Sequence, residues 1–572
     1  MSGIRVAILG SPVQPDVPWT SANVARLVDS GFNAVQLNIA WSYRPNDEPL
    51  NLEDVVEMGG PEPVKRNRIK WWAGELRRRA ALARAAGLRT LLQVGVPFQG
   101  RHGYRGSSLP QCVSDPAVED RYCAALRALA EQQPQLDDLL VYTYDQDAWL
   151  CSEFDGCPRC TGVPLHLRVT AFLNHLAAEW TTVRPDGRLW WEPWELSAGQ
   201  ALSAIPLLGS GTGLMVHSTI AEVISCMSVD VFVRVAAAMA EAHRIPLVVE
   251  AFLSCANEEV EPWTHLPSPL VTLHQLRRIH EVPGVRGVKE YYGMASRRFD
   301  TNARAATVWF HHPTWSDDEI LGEVASEFAV DGLVEFWRRA SLAYTQYPWD
   351  ASWFARELGY SQPLHELTAA TVRGQQAEQP PWETPAWRST RQGVFMATAD
   401  TRQHPWFLED IGLRFQLAAD TMESAIGWFD TNVTIHDDEP GHALLRQRWE
   451  AEGFVTRTRA YALHIRETLL SRLLRDGHGS REALLAELTD ELNADLHNQE
   501  REVRRAAQDD ETRVAPRPVQ LQSRWVVPLT RDTGAMESAI QLLRSDPDRF
   551  RATCFPEVPD HATLGQFSLT SR

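Results

Sequence analysis

A chain of 572 residues, 44% hydrophobic and 23% charged, has the make-up of a globular protein too long for one core, which predicts two or three units. Lys+Arg of 56 against Asp+Glu of 74 leaves a net charge of -18 with no basic block, which argues against nucleic acid as a partner. No apolar run is long enough to cross a bilayer, and the opening MSGIRVAILGSPVQPDVPW is too weakly apolar for a secretory signal, so a cytoplasmic protein with no membrane partner is expected.

Taken in order, the first part of the chain alternates two patterns. Apolar runs of strand length fall at Val6–Leu9, Ala34–Ile39, Thr90–Val96, Leu139–Thr143, Arg188–Glu192, Gly213–Ser218, Pro246–Phe252 and Gly287–Tyr292. Helical patterns lie between them at Ser21–Ser30, Ile69–Ala86, Ala117–Glu131, Pro164–Val183, Val229–His243 and Leu273–His280. A weaker one, Ala198–Leu208, is shortened by Pro206. Gly31, Gly87, Gly187 and Gly284 sit where C-cap glycines belong. Near-continuous apolar strands alternating with amphipathic helices imply a parallel sheet covered by helices. Eight such units predict an α/β chain whose residues 1–325 form a (β/α)8 TIM barrel. An open doubly wound sheet would usually carry a glycine-rich loop after its first strand, and GSPVQPDVPW has no GxGxxG.

Beyond the barrel the alternation stops. Helical patterns at Gly332–Tyr344, Leu413–Phe429, Ala443–Glu450, Arg457–Arg475 and Ser480–Ala507 predict a helical accessory domain over residues 326–508, broken by a Pro/Gln/Trp-rich stretch at Gln375–Trp387. Residues 509–572 turn polar, with a strand-like patch at Arg524–Leu529 and a helix at Gly534–Arg544, and are expected to pack back on the body. The helical half could also supply contacts for a homo-oligomer.

In a barrel of this kind the chemistry sits at the C-terminal ends of the strands. The fourth run leads into Asp145, Gln146, Asp147 and Trp149; the fifth delivers Glu192 and Glu195. The sixth ends in His217, the seventh in Glu250 and the eighth in Glu290 and Tyr292, while the second adds Asn38 and Trp41 and the third Gln93. A mouth rich in acids and aromatics and poor in lysine suits glycoside hydrolysis, which needs two carboxyl groups flanking an oxocarbenium-like transition state. Crowding among the acids would keep one of them protonated. Each acid also has a structural alternative: Asp145 or Asp147 as a helix cap, Glu290 as a partner of Lys289 or Arg286, His217 as a satisfied core residue. The 21 tryptophans divide between core and sugar-stacking platform.

Cys112 follows the third strand, and Cys151, Cys157 and Cys160 follow the fourth, the last two as CPRC. Neighbouring loops would bring these thiolates together as a closed structural Zn²⁺ site, with no organic cofactor implied. Eight cysteines without an export signal fit reduced thiols or metal better than a disulfide framework.

This region resembles the clan of (β/α)8 glycoside hydrolases with the acid/base after strand four and the nucleophile after strand seven. The cysteine arrangement is similar to family 42 β-galactosidases, which carry one cysteine after strand three and three more after an Asn-Glu acid/base motif. Gln146–Asp147, four residues ahead of Cys151, occupies the motif's place. The resemblance implies Asp147 as acid/base, Glu250 as nucleophile and a carbohydrate as substrate. Asp in place of Glu draws the carboxyl back by one methylene, which favours an inverting arrangement with room for a water. Asp145 and Asp147 together also resemble N-acetylhexosaminidase barrels, in which the substrate's acetamide is the nucleophile. A barrel that binds carbohydrate without cleaving it is the non-enzymatic alternative.

Overall fold

The computed structural model describes residues 3–11, 17–39, 51–58, 63–97, 99–100, 111–143, 148–149, 151, 153, 157–193, 196, 198–218, 229–254, 266–294, 299–348, 405–476, 478–512, 541–542, 544–546 and 549. Eight strands close into a barrel in chain order: β1 (Ile4–Ile8), β2 (Ala34–Gln36), β3 (Arg89–Gly95), β4 (Asp138–Tyr142), β5 (Leu189–Glu192), β6 (Thr212–His217), β7 (Leu247–Ala251) and β8 (Val285–Glu290). Every neighbouring pair is parallel, and β8 returns onto β1 with Val6 opposite Lys289. All eight predicted strands are present. Gly287 lets the seam close, because a Cβ there would lie 1.9 Å from the carbonyl oxygen of Ile4.

The intervening helices are α1 (Ser21–Asp29), α2 (Pro63–Ala85), α3 (Pro116–Gln132), α4 (Leu165–Val183), α5 (Ala198–Ala204), α6 (Val229–Ala242) and α7 (Pro269–His280). The weak pattern at Ala198–Leu208 resolves into α5 and a single 3-10 turn, Ile205–Leu207, with Pro206 inside it. Sequence reasoning missed the helix after β8, α8 (Thr301–His311), whose N-cap Asp300 accepts from the amide of Ala303. Gly31, Gly87 and Gly284 take the left-handed conformation expected of a C-cap. Gly187 serves differently: a Cβ there would meet the carbonyl oxygen of Asp137 at 2.5 Å.

The barrel is filled by one buried layer, Val6, Ala34, Leu91, Leu140, Trp190, Met215 and Val248. Side chains alternate along a strand, so the residues two positions further on face the same interior one layer nearer the C-terminal mouth. Those residues are Ile8, Gln36, Gln93, Tyr142, Glu192, His217 and Glu250, all but Ile8 bearing a polar group. An apolar plug therefore carries a polar floor. At the opposite rim Arg89 donates to both oxygens of Asp138 at 2.6 and 2.7 Å, and Asp138 also accepts from the amide of Arg188. That fork ties the starts of three strands together and leaves the mouth free of structural duty.

The chain divides into a barrel unit, which takes in Thr272–Val324, and a second unit that takes in Ala325–Val519. The described part of the second is helical: α10 (Leu333–Gln346), α11 (Pro405–Asn432), α12 (Glu439–Asp476) and α13 (Arg481–Thr512), following α9 (Asp317–Ser326) at the junction. The patterns at Ala443–Glu450 and Arg457–Arg475 belong to one helix, α12, because Gly453 is accommodated within it. Gly412 of α11 lets α12 approach, with a Cβ there 3.3 Å from Ile465. Phe415 packs between Tyr347 and Tyr461, and Arg448 forks onto Asp430 at 2.6 and 2.7 Å. The break at Gln375–Trp387 and the patch at Arg524–Leu529 lie outside the described residues, as does most of Gly534–Arg544.

Candidate active site

At the mouth, β5, β6, β7 and β8 each end in an ionisable side chain aimed at the same point. His217 bridges two carboxyl groups, with Nε2 2.9 Å from Glu192 and Nδ1 3.2 Å from Glu250. Lys289 places its ammonium 2.7 Å from the other oxygen of Glu250. Gln93 donates at 3.1 Å to the second oxygen of Glu192, and oxygens of Glu192 and Glu250 lie within 4.8 Å of each other. All five residues are buried, Glu250 at 0% exposure. Burial pushes the carboxyl of Glu192 up from the ordinary range, opposed by Lys289. Burial and then the charge of Glu192 push Glu250 up, opposed by Lys289 and His217.

The register explains why these groups meet. His217 lies opposite Glu250, and Glu250 opposite Lys289, so three adjacent parallel strands deliver three consecutive inward positions. Asn38, one turn beyond β2, is buried and holds the third strand: its side-chain NH₂ donates to the carbonyl of Gln93 at 2.9 Å and its oxygen accepts from the amide of Gln93. It thereby sets the backbone that aims Gln93 at Glu192. Tyr291 stands edge-on to the imidazole of His217, ring centres 4.5 Å apart.

Glu290 is buried but occupies the other side of β8. Its oxygens accept from the amides of Leu253, Tyr292 and Gly293 at 2.8, 2.9 and 3.1 Å. Burial outweighs these donors and raises its pKa to about 8. Glu290 thus braces the loops after β7 and β8 from behind, while Lys289 takes the inward position. Tyr292 is buried against Phe252. Sequence reasoning placed Gln93 at the mouth but had not assigned Lys289 to it; strand alternation from Gly287 finds Lys289. Trp41, Asp145, Gln146, Asp147 and Glu195 lie outside the described residues. Trp149 is described only as backbone, in a two-stranded antiparallel ribbon of Gln99–Gly100 with Ala148–Trp149.

That ribbon joins the loops after β3 and β4, the same loops that bear the cysteines. The sulfurs of Cys112, Cys151, Cys157 and Cys160 all lie within 4.8 Å of one another and form a set that could hold a metal ion. Cys112 Sγ is 3.4 Å from that of Cys160 and 3.9 Å from that of Cys157. Tetrahedral coordination at zinc–sulfur distances would require a spacing of about 3.8 Å, so the donor set fits the group. The CPRC turn is closed by the amides of Cys160 and Thr161 on the carbonyl of Cys157. An amide N–H from Arg159 brings the Cys157 thiol down to about 7, while burial raises Cys112 to about 11. Arg168 of α4, itself buried, donates to the carbonyls of Cys151 and Val163 and to Glu153, holding the loop on the helix.

No family model matches the chain, and no curated protein sequence matches it. Solved structures do. A GH138 enzyme targeting pectin rhamnogalacturonan II superimposes with a TM-score of 0.53 at 11% identity, over 96% of this chain and 83% of that one. A GH5_18 protein from Bifidobacterium longum subsp. infantis gives 0.37 at 14% identity, over 55% of this chain and 79% of its own. The exo-beta-1,4-mannosidase Op5Man5 from Opitutaceae bacterium strain TAV5 gives 0.37 at 13%, over 56% and 60%. At such identity the first likeness shows the fold alone.

Proposed function

We propose that the chain is a glycoside hydrolase that cleaves a small glycoside or oligosaccharide at the C-terminal mouth of the barrel. Asp147 is the proton donor and Glu250 the second carboxyl. The observation that supports this reading is the polar floor over the apolar plug: two buried carboxyl groups, Glu192 and Glu250, held by Lys289, His217 and Gln93 at a strand-end position where ion pairs serve no strand. Burial pushes both carboxyl groups up and Lys289 opposes it in each, and an acid held near its neutral form is one of the two parts that glycosidic cleavage requires. The GH138 enzyme that shares this fold targets a carbohydrate, pectin rhamnogalacturonan II, which agrees with this reading without naming the substrate of this chain.

The four cysteines are proposed to hold a structural Zn²⁺. A closed four-thiolate site would supply no chemistry to the reaction; it would fix the loop carrying Asp147 relative to the loop after β3. That arrangement is the one shared with family 42 β-galactosidases, whose sugar specificity is not carried over.

The test is turnover of activated aryl glycosides by Asp147→Asn and Glu250→Gln proteins with unchanged circular dichroism. Loss of roughly 10²- to 10⁴-fold in kcat for each is expected, and an unchanged rate in either rejects that residue's role. A second reading has one observation in its favour: both oxygens of Glu250 are already engaged, by Lys289 and His217. A substrate-assisted route through Asp145 and Asp147 would leave Glu250 as an orienting group. It requires a 2-acetamido sugar, so hydrolysis of the matching 2-hydroxy glycoside at a comparable rate excludes it.

A further inference from the structure

We propose that His217 stands in the folded chain as an imidazolium, a positioning residue locked between Glu192 and Glu250 that together with Lys289 makes the floor of the mouth charge-neutral. Each oxygen of the two carboxylates faces a nitrogen. Glu192 meets His217 Nε2 at 2.9 Å and Gln93 Nε2 at 3.1 Å; Glu250 meets His217 Nδ1 at 3.2 Å and Lys289 Nζ at 2.7 Å. A neutral imidazole has one donor and one bare nitrogen, so it would turn a lone pair on one of these carboxylates. Two protons on the ring turn a positive charge toward both carboxylates and balance two negative charges with two positive ones. Imidazole is also the stronger base of the two group types, by about two pKa units in water. The competing place for the proton is between Glu192 and Glu250, whose carboxyl groups also approach each other.

The groups facing the ring are Glu192 from β5, Glu250 from β7, Lys289 from β8 and the edge-packed Tyr291. Glu192, His217 and Glu250 have ligand atoms within 4.8 Å of one another, a spacing a metal ion could use. Lys289 already occupies the place of a cation on Glu250, and a metal would need the ring deprotonated. The protonation state is inferred from these distances and the basicity of imidazole; its consequence for catalysis rests on the hydrolase reading.

The experiment is nitrogen NMR of the full-length protein labelled with ¹⁵N-histidine, followed from pH 5 to about pH 9, beyond the ordinary histidine range. The His217 signals are assigned by their loss in His217→Gln or, should that variant not fold, by their shift in Glu192→Gln. The expected result is one ring with both nitrogens protonated through neutral pH and unmoved by added Zn²⁺ or Mn²⁺. A bare nitrogen at neutral pH, titration in the ordinary histidine range, or a shift on adding either metal overturns the proposal. On a hydrolysed substrate, His217→Gln should also move the acid limb of kcat/KM upward by about one unit, because Glu250 loses a facing cation. Absence of any hydrolysis would fail the functional reading while leaving the NMR outcome decisive for the ring.

Discussion

Replacing Lys289 by Met keeps the side chain's volume and removes the charge that faces Glu250 at 2.7 Å. Lys289 is 1% exposed and Glu250 0%, so neither can turn to water when its partner goes. Breaking a buried pair in this way costs about 3–5 kcal/mol, most of it the stranded charge. Glu250→Gln should cost a similar amount, because it strands the ammonium instead. The double variant strands nothing, and its cost should fall well below the sum, giving a coupling energy of about 2 kcal/mol or more. Urea unfolding followed by tryptophan fluorescence, on wild type and all three variants, supplies the four corners of the cycle. Additive costs would mean that the two groups do not see each other and would remove the electrostatic basis of the floor.

Further expectations follow from other parts of the barrel. Elemental analysis should find one zinc per chain, and Cys160→Ser should lose it together with several degrees of thermal stability; full occupancy in that variant would reject the four-thiolate site. Arg168→Ala, which leaves the carbonyls of Cys151 and Val163 without their donor, should cost about 1–3 kcal/mol in denaturant unfolding, and a neutral effect would dismiss it as a loop anchor. Glu290 keeps its proton to about pH 8 in the folded chain but loses it in the ordinary glutamate range when unfolded. Folding therefore takes up a proton between those limits, so stability should fall as pH rises from about 5 to about 8 and level off above. Glu290→Gln should flatten that slope, and a slope that survives the substitution assigns it to another group.

How much of this could be read beforehand depends on what kind of signal each part leaves. The barrel was legible because buried parallel strands are near-continuous apolar runs, and each of the eight was separated by a helical pattern or a capping glycine. Lys289 and Glu290 show where strand ends mislead. Adjacent residues point to opposite sides of a sheet, so only one of them can face the mouth, and the rule that acids mark the site chose Glu290. Counting by two from Gly287, a position filled by the backbone of Ile4, selects Lys289. The helix at Thr301–His311 was missed because its apolar residues sit among alanine and threonine and form no clear stripe. The patterns at Ala443–Glu450 and Arg457–Arg475 read as two helices where the chain carries one, Glu439–Asp476, through Gly453. The meeting of the four cysteines was foreseeable from the order of loops around a closed barrel, since consecutive strands are neighbours and so are the loops that leave them.

The most direct measurement is a crystal structure of the protein with a bound iminosugar. The ring nitrogen should lie above the floor, with a carboxyl oxygen of Glu250 on one side and Asp147 on the other. Their separation would read out the stereochemistry: about 5–5.5 Å for retention, about 6.5–9.5 Å for inversion. An iminosugar seated away from Glu250, or Asp147 directed into another cavity, would contradict the assignment of this mouth as the site of hydrolysis.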